Sequence, residues 1–203
     1  MIKAVIFDLC GVCFFDFGSE DIDCKKRYSK ALGISTEKFS ETWRSIWPSF
    51  KLGKITESEF WKTFIEKFNA KSEVEDLKRI TREGIKPKSD VIKIVEKLRE
   101  NYTVAMITNN SIEWVDYINR KYKLNEKFDL IINSADVCMA KPDPEIYEFT
   151  LKKLNLKPEE CIFIDDQERN LRSAKDLGMK TILFESAEKL KFELSKFEVK
   201  ING

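Results

Sequence analysis

Short apolar runs alternate with longer amphipathic segments along this chain. The alternation predicts a parallel sheet whose strands are joined by helical crossovers. Ala4 to Leu9, Thr103 to Thr108, Leu130 to Asn133, Cys161 to Ile164 and Thr181 to Phe184 read as the strands. Each is short and shows little alternation, as expected of strands covered on both faces. Helical periodicity is strongest over Lys88 to Arg99, Ser111 to Tyr122, Pro144 to Leu154 and Glu168 to Leu177. Asp143 ahead of Pro144 fits an N-cap followed by proline in the first helical position, and Gly178 fits a helix end.

The first strand is followed by about seventy residues of helical pattern, whereas closing a βαβ unit takes about a dozen. An inserted helical domain over 16–86 is therefore expected, with the sheet domain built from 1–15 and 87–203. Inside the insertion, Thr56-Glu57-Ser58-Glu59 is a capping box. It opens a helix whose Phe60, Trp61, Phe64, Ile65 and Phe68 form one apolar stripe. The stripe reads as core packing of the insertion, and Trp43, Trp47 and Trp114 read the same way. Gly53 and the Pro87 region mark bends at its inner turn and its exit.

Composition narrows the chemistry. The 203 residues carry 36 Lys and Arg against 35 Asp and Glu, with no His, so no Ser-His-Asp triad, imidazole metal site or histidine base is available. An apolar fraction of 42%, including 15 Phe, is enough to offset folding entropy. A net charge of +1 gives no long-range field for nucleic acid or an acidic membrane. Lys3 and the apolar stretch up to Phe15 superficially resemble a signal peptide, but Asp8 interrupts it and favours a buried strand. No run reaches the ~20 apolar residues of a membrane span. Five cysteines, an odd number, suit reduced thiols and a cytoplasmic location.

The polar groups that punctuate the strands carry the functional signal. Asp8 ends the first strand, Thr108-Asn109-Asn110 the second and Asp165-Asp166 the fourth, while Lys141 lies in the loop after the third. Open α/β sheets bind ligands at this carboxyl edge. A carboxylate there can attack phosphorus if its charge and the substrate's are neutralised. Mg²⁺ held by Asp8 and the acidic pair would serve, as a hard cation bound through oxygen. Lys141 adds a point charge, and Thr108 with the amides after it can donate to phosphoryl oxygens at a helix N-terminus.

The segments FDLCGV, ITNN, AKPDPEIY and FIDDQERN resemble, in order and spacing, the four motifs of the haloacid dehalogenase superfamily, and they span most of the chain. The likeness is nearest to the sugar-phosphate phosphatases and the phosphatase-like domain of soluble epoxide hydrolases. It implies an α/β, Rossmann-like parallel sheet in strand order 3-2-1-4-5, helices on both faces and a helical cap inserted after the first motif. Carried over by position, it implies Asp8 as nucleophile and metal ligand, with the carbonyl of Cys10 and the carboxylates of Asp166 and Asp165 also at the metal. Thr108 and Asn109 would bind phosphate, Lys141 would neutralise charge and Asn170 would support the site.

One residue departs from the pattern. The family's phosphatases carry Asp two positions after the nucleophile as general acid and base, and here that residue is Cys10. A thiol binds Mg²⁺ poorly and suits proton transfer less well than a carboxyl group. Three functions are therefore weighed. The first is a Mg²⁺-dependent phosphatase acting on a small phosphorylated metabolite, such as a sugar phosphate, through an aspartyl phosphate. The second is a 2-haloacid dehalogenase, which needs no acid at position 10 but leaves Asp165-Asp166 unexplained. The third is a catalytically weak protein that binds a phospholigand. Cys10-Gly11-Val12-Cys13 also forms a C-x-x-C spacing, for which ordinary buried thiols are the plainer reading.

Overall fold

Alternate residues of the apolar runs point to opposite sides of one sheet. The computed structural model describes residues 1–18 and 21–201. Its strands are β1 (Ala4–Phe7), β2 (Thr103–Thr108), β3 (Leu130–Asn133), β4 (Cys161–Asp165) and β5 (Lys180–Leu183). They are all parallel, in the order β3-β2-β1-β4-β5. On one face Val5, Phe7, Val104, Met106, Ile162 and Ile164 belong to one apolar cluster, and on the other Ala4, Ile6, Ala105, Ile107 and Phe163 belong to a second.

Four helices follow β1: α1 (Ile22–Leu32), α2 (Thr36–Phe50), α3 (Glu57–Phe68) and α4 (Val74–Gly84). The remainder alternate with the strands: α5 (Ser89–Leu98), α6 (Ile112–Tyr122), α7 (Leu124–Lys127), α8 (Ser134–Val137), α9 (Pro144–Leu154), α10 (Glu168–Asp176) and α11 (Ala187–Lys196). Helices α5, α6 and α11 cover the first sheet face through Ile94, Trp114 and Leu190, and α9 and α10 cover the second through Tyr147 and Ala174. None of the helices described is long and apolar enough to cross a membrane.

The inserted helices share the first cluster instead of forming a separate core. Phe50, Phe60, Trp61 and Phe64 are fully buried in the same group as Phe7 and Trp114. Ile65 and Phe68, at the far end of the α3 stripe, are only half-buried. The capping box forms, with Thr56 N–H donating to Glu59 Oε2 at 2.7 Å and Glu59 N–H to Thr56 Oγ1 at 3.2 Å. The chain leaves and re-enters the sheet region side by side: Phe15 N–H donates to Lys86 O at 3.0 Å and Lys88 N–H to Cys13 O at 2.8 Å.

Several boundaries differ from the sequence expectation. The first strand stops at Phe7, not Leu9, because Leu9 O accepts from Cys13 N–H and Phe14 N–H and turns the chain. Phe184 lies just beyond β5, although its N–H still donates to Asp165 O at 3.0 Å. Asp143 takes the N-cap position of α9 with Pro144 first in the helix, but its side chain makes no capping bond. Gly178 follows α10, and its N–H donates to Lys175 O at 2.9 Å.

Candidate active site

The register of the sheet sets the site. Phe7 lies opposite Ile164, so the next residues, Asp8 and Asp165, emerge side by side at the carboxyl edge, with Asp8 N–H donating to Ile164 O at 2.9 Å. Lys141 reaches between them from the loop after α8. Its Nζ lies 2.7 Å from Asp8 Oδ1 and 2.6 Å from Asp165 Oδ2, and it is 2% exposed. Asp8, Asp165 and Asp166 each bring a carboxylate oxygen to within 4.8 Å of the others.

Each member is fixed by neighbours. Asp8 Oδ1 also accepts from Leu9 N–H at 2.7 Å, whereas Oδ2 accepts no hydrogen bond among the described residues. Asp165 accepts from Gln167 N–H at 2.9 Å and from Asn170 Nδ2 at 3.0 Å. Asn170 is buried, and its Oδ1 has no partner among the described residues. Gly11 has φ +87°, and a Cβ placed there would lie 2.3 Å from Asp166 Oδ2. Only glycine lets the loop after β1 pass that close to the carboxylate.

Asn109 does something that sequence reading did not foresee. Its Nδ2 donates to Lys141 O at 2.7 Å and its Oδ1 accepts from Lys141 N–H at 2.8 Å. The side chain therefore clamps the lysine loop, and Asn109 lines the pocket beside it. Thr108 is buried at the end of β2 and lines the same pocket. Cys10 lines it too, with Asn110 Nδ2 at 3.6 Å from its Sγ. The carbonyls of Leu9, Gly11 and Cys13 are each taken by an N–H donor, and that of Cys10 by none among the described residues.

Electrostatics follow from crowding three acids around one buried ammonium. Burial pushes Asp8 up to about 7, the Asp165 and Asp166 charges add to the rise, and Lys141 opposes it. Asp166 is raised for the same two reasons, burial first and then Asp165. Burial works against the Lys141 ammonium, but Asp8 and Asp165 outweigh it and hold the lysine charged. The Cys10 thiol is pushed well above its usual range by burial, then by Asp16 and Asp8, so it stays protonated near neutrality. Cys10 and Cys13 are both free thiols, and Cys13 is fully buried.

The pocket over these groups has a volume of about 410 Å³. Its far wall comes from α2, through Trp43, Arg44 and Trp47, and from Lys51 just past the end of that helix, and Arg169 of α10 completes the rim. Sequence reading missed these residues as pocket groups. Trp43 and Trp114 are buried as expected of packing residues, yet with half-buried Trp47 they also form the pocket wall. The α2 polar positions have the spacing of a solvated helix face and gave no signal. Arg169 had one, since it lies between Asp166 and Asn170 in the first turn after β4.

Residues 26–184 match the family described as haloacid dehalogenase-like hydrolase. The chain belongs to that family. As a member of these hydrolases it is 37% identical over 105 residues to bifunctional epoxide hydrolase 2 of Rattus norvegicus, a match covering 48% of this chain and 18% of that longer protein. It is 27% identical over 210 residues to D-ribitol-5-phosphate phosphatase of Bacteroides thetaiotaomicron, covering 96% of this chain and 98% of the relative. Among solved structures, a haloacid dehalogenase family enzyme from Bacteroides thetaiotaomicron superposes with a TM-score of 0.84 at 24% identity, over 95% of this chain and 98% of that one. That enzyme has also been solved as a complex with magnesium and inorganic phosphate.

Proposed function

We propose that this hydrolase is a Mg²⁺-dependent phosphatase that cleaves a small phosphate monoester through an aspartyl phosphate on Asp8. The observation that supports the reading most strongly is the triad of carboxylate oxygens within 4.8 Å around the buried Lys141 ammonium. Three acids against one lysine leave excess negative charge, which adds to burial in raising Asp8 and Asp166. An all-oxygen donor set suits a hard divalent cation. The phosphatase relative, and the magnesium and phosphate complex of the structural neighbour, point the same way.

Asp8, Asp165 and Asp166, with the Cys10 carbonyl, would hold Mg²⁺, which bound there supplies positive charge for the phosphoryl oxygens. The chain's own groups do the rest. Lys141 orients Asp8 through Oδ1, leaving Oδ2 to attack phosphorus. As the Asp8–phosphorus bond forms, the ester oxygen leaves with its electron pair. Thr108 and the backbone amide of Asn109 face the phosphoryl oxygens, while the next two amides are taken by Ser134 and Asn110, and the Asn109 side chain holds the Lys141 loop in place. Water then attacks the aspartyl phosphate, releasing inorganic phosphate and restoring the carboxylate. The protonated Cys10 thiol gives weak help to the leaving oxygen, so substrates with a stable leaving group are favoured. The helices over 16–86 act as the cap, with α2 facing the substrate.

A second reading, displacement of halide from a 2-haloacid by Asp8, is favoured by Cys10 alone, because that chemistry needs no acid there. It gives Asp166 nothing to do. Phosphate and chloride release, measured with Mg²⁺ and with EDTA over a panel of phosphate esters and 2-chloropropionate, separates the two. Phosphate release lost in EDTA supports the phosphatase, and chloride release unaffected by EDTA refutes it.

A further inference from the structure

The α2 wall of the pocket carries positive charge that the Asp8 chemistry does not use. Lys51 and Arg169 line the pocket together with Lys141, and Arg44 stands at its mouth. None of Lys51, Arg169 and Arg44 forms an ion pair with a described residue. Lys51 is half-buried, which makes an uncompensated ammonium costly. Burial lowers its proton affinity first; Asp143 opposes that, and Arg169 and Lys141 add to it.

Lys51 is also held in place. Its backbone N–H donates to Trp47 O at 2.9 Å, and its carbonyl accepts from Ser134 Oγ at 2.5 Å. The same hydroxyl oxygen accepts from Asn110 N–H at 3.0 Å, in the segment that ends β2. Two residues on, Gly53 has φ +68° and packs so tightly that a Cβ there would lie 2.8 Å from Ala135 O. The turn after α2 is thus docked onto α8, and the Lys51 position is tied to the loop that carries Thr108 and Asn109.

We propose that Lys51 and Arg169, with Arg44 at the rim, form a second anion subsite, so that the substrate is a phosphate monoester bearing another anionic group on its far end. A carboxylate and a second phosphate share this chemistry. The proposal rests on the phosphatase reading and names its substrate class. The half-buried lysine and the arginine bind the distal anion with charge-assisted hydrogen bonds, while Trp47 packs against the carbon chain between the two ends.

The test is kcat/KM, with Mg²⁺, for phosphate monoesters of matched carbon chain ending in hydroxyl, carboxylate or a second phosphate. Several chain lengths are used. Wild-type protein is expected to prefer one of the anionic series over the hydroxyl series by roughly tenfold or more. Lys51→Gln and Arg169→Gln should each reduce that ratio, and Lys51→Arg should retain it. Whichever anionic series shows the preference identifies the distal group. Equal turnover of the three series keeps the phosphatase and overturns the subsite, as does a Lys51→Gln loss that is the same for all three. Turnover of no ester by the wild-type protein removes the phosphatase reading and the substrate class with it.

Discussion

Glu57, the first residue of α3, accepts a hydrogen bond from Trp114 Nε1 of α6 at 2.6 Å. Glu57 is 2% exposed and is also gripped from α4 by Arg82, whose two guanidinium nitrogens lie 3.0 and 2.5 Å from its oxygens. One carboxylate thereby joins two inserted helices to an indole that lines the pocket. Glu57→Gln should lower stability by about 2 kcal/mol, because a buried charged bond is lost and Arg82 keeps its charge. Denaturant unfolding measures this, and a change within error would mean the network is dispensable.

Gly11→Ala tests the close passage of the first loop. The added methyl falls 2.3 Å from Asp166 Oδ2, and φ +87° is strained for alanine. A loss of about 1–3 kcal/mol is expected from the strained backbone. Asp166 must also move, so the thermal stabilisation produced by Mg²⁺ should shrink by more than it does in Gly33→Ala, a site with open space at φ +68°. Equal responses to Mg²⁺ in the two variants would show that Asp166 is not at the metal.

The raised Asp8 has a definite consequence for stability. Its carboxyl titrates near 3.8 in the unfolded chain and at about 7 in the fold, so the folded state binds more protons between those values. Without metal, the Asp8 contribution therefore becomes less favourable as pH rises from about 4 to about 7, by up to a few kcal/mol, and levels off above that. Asp8→Asn should remove this dependence and be more stable than the wild type at pH 8 in EDTA. Thermal melts across that range check it, and a wild-type curve that rises through the window would contradict the assigned shift.

Cys10→Asp supplies the carboxyl group that the loop lacks. Hydrolysis of alkyl phosphates should increase by ~10² or more, the usual value of a positioned acid and base. Aryl phosphates with stable leaving groups should gain much less. No gain with either class would mean that another group already moves the proton.

How far the sequence reached can be seen residue by residue. The parallel sheet was legible because each strand is a short apolar run, and the strand order came with the family resemblance. Asp8, Lys141, Asp165 and Asp166 were legible because strand ends in such sheets and the loops beyond them share one edge, and Asn170 only through the family resemblance. The Asn109 clamp was not, since its partner is backbone 32 residues away and reciprocal amide bonding leaves no sequence pattern. Nor was Lys51, whose position depends on the Ser134 hydroxyl and on the contact between Gly53 and Ala135. Strand ends erred by one or two residues where loop bonding, such as that at Leu9 O, ended the ladder early.

The covalent step proposed on Asp8 admits a direct measurement. Protein turning over a phosphate ester with Mg²⁺ is quenched, reduced with borohydride and mapped by peptide mass spectrometry, because an acyl phosphate is reduced to an alcohol and a free carboxylate is not. Homoserine at position 8, absent without substrate and absent in Asp8→Asn, is the predicted result. Continued phosphate release by Asp8→Asn, or reduction at another acid with residue 8 intact, would contradict it.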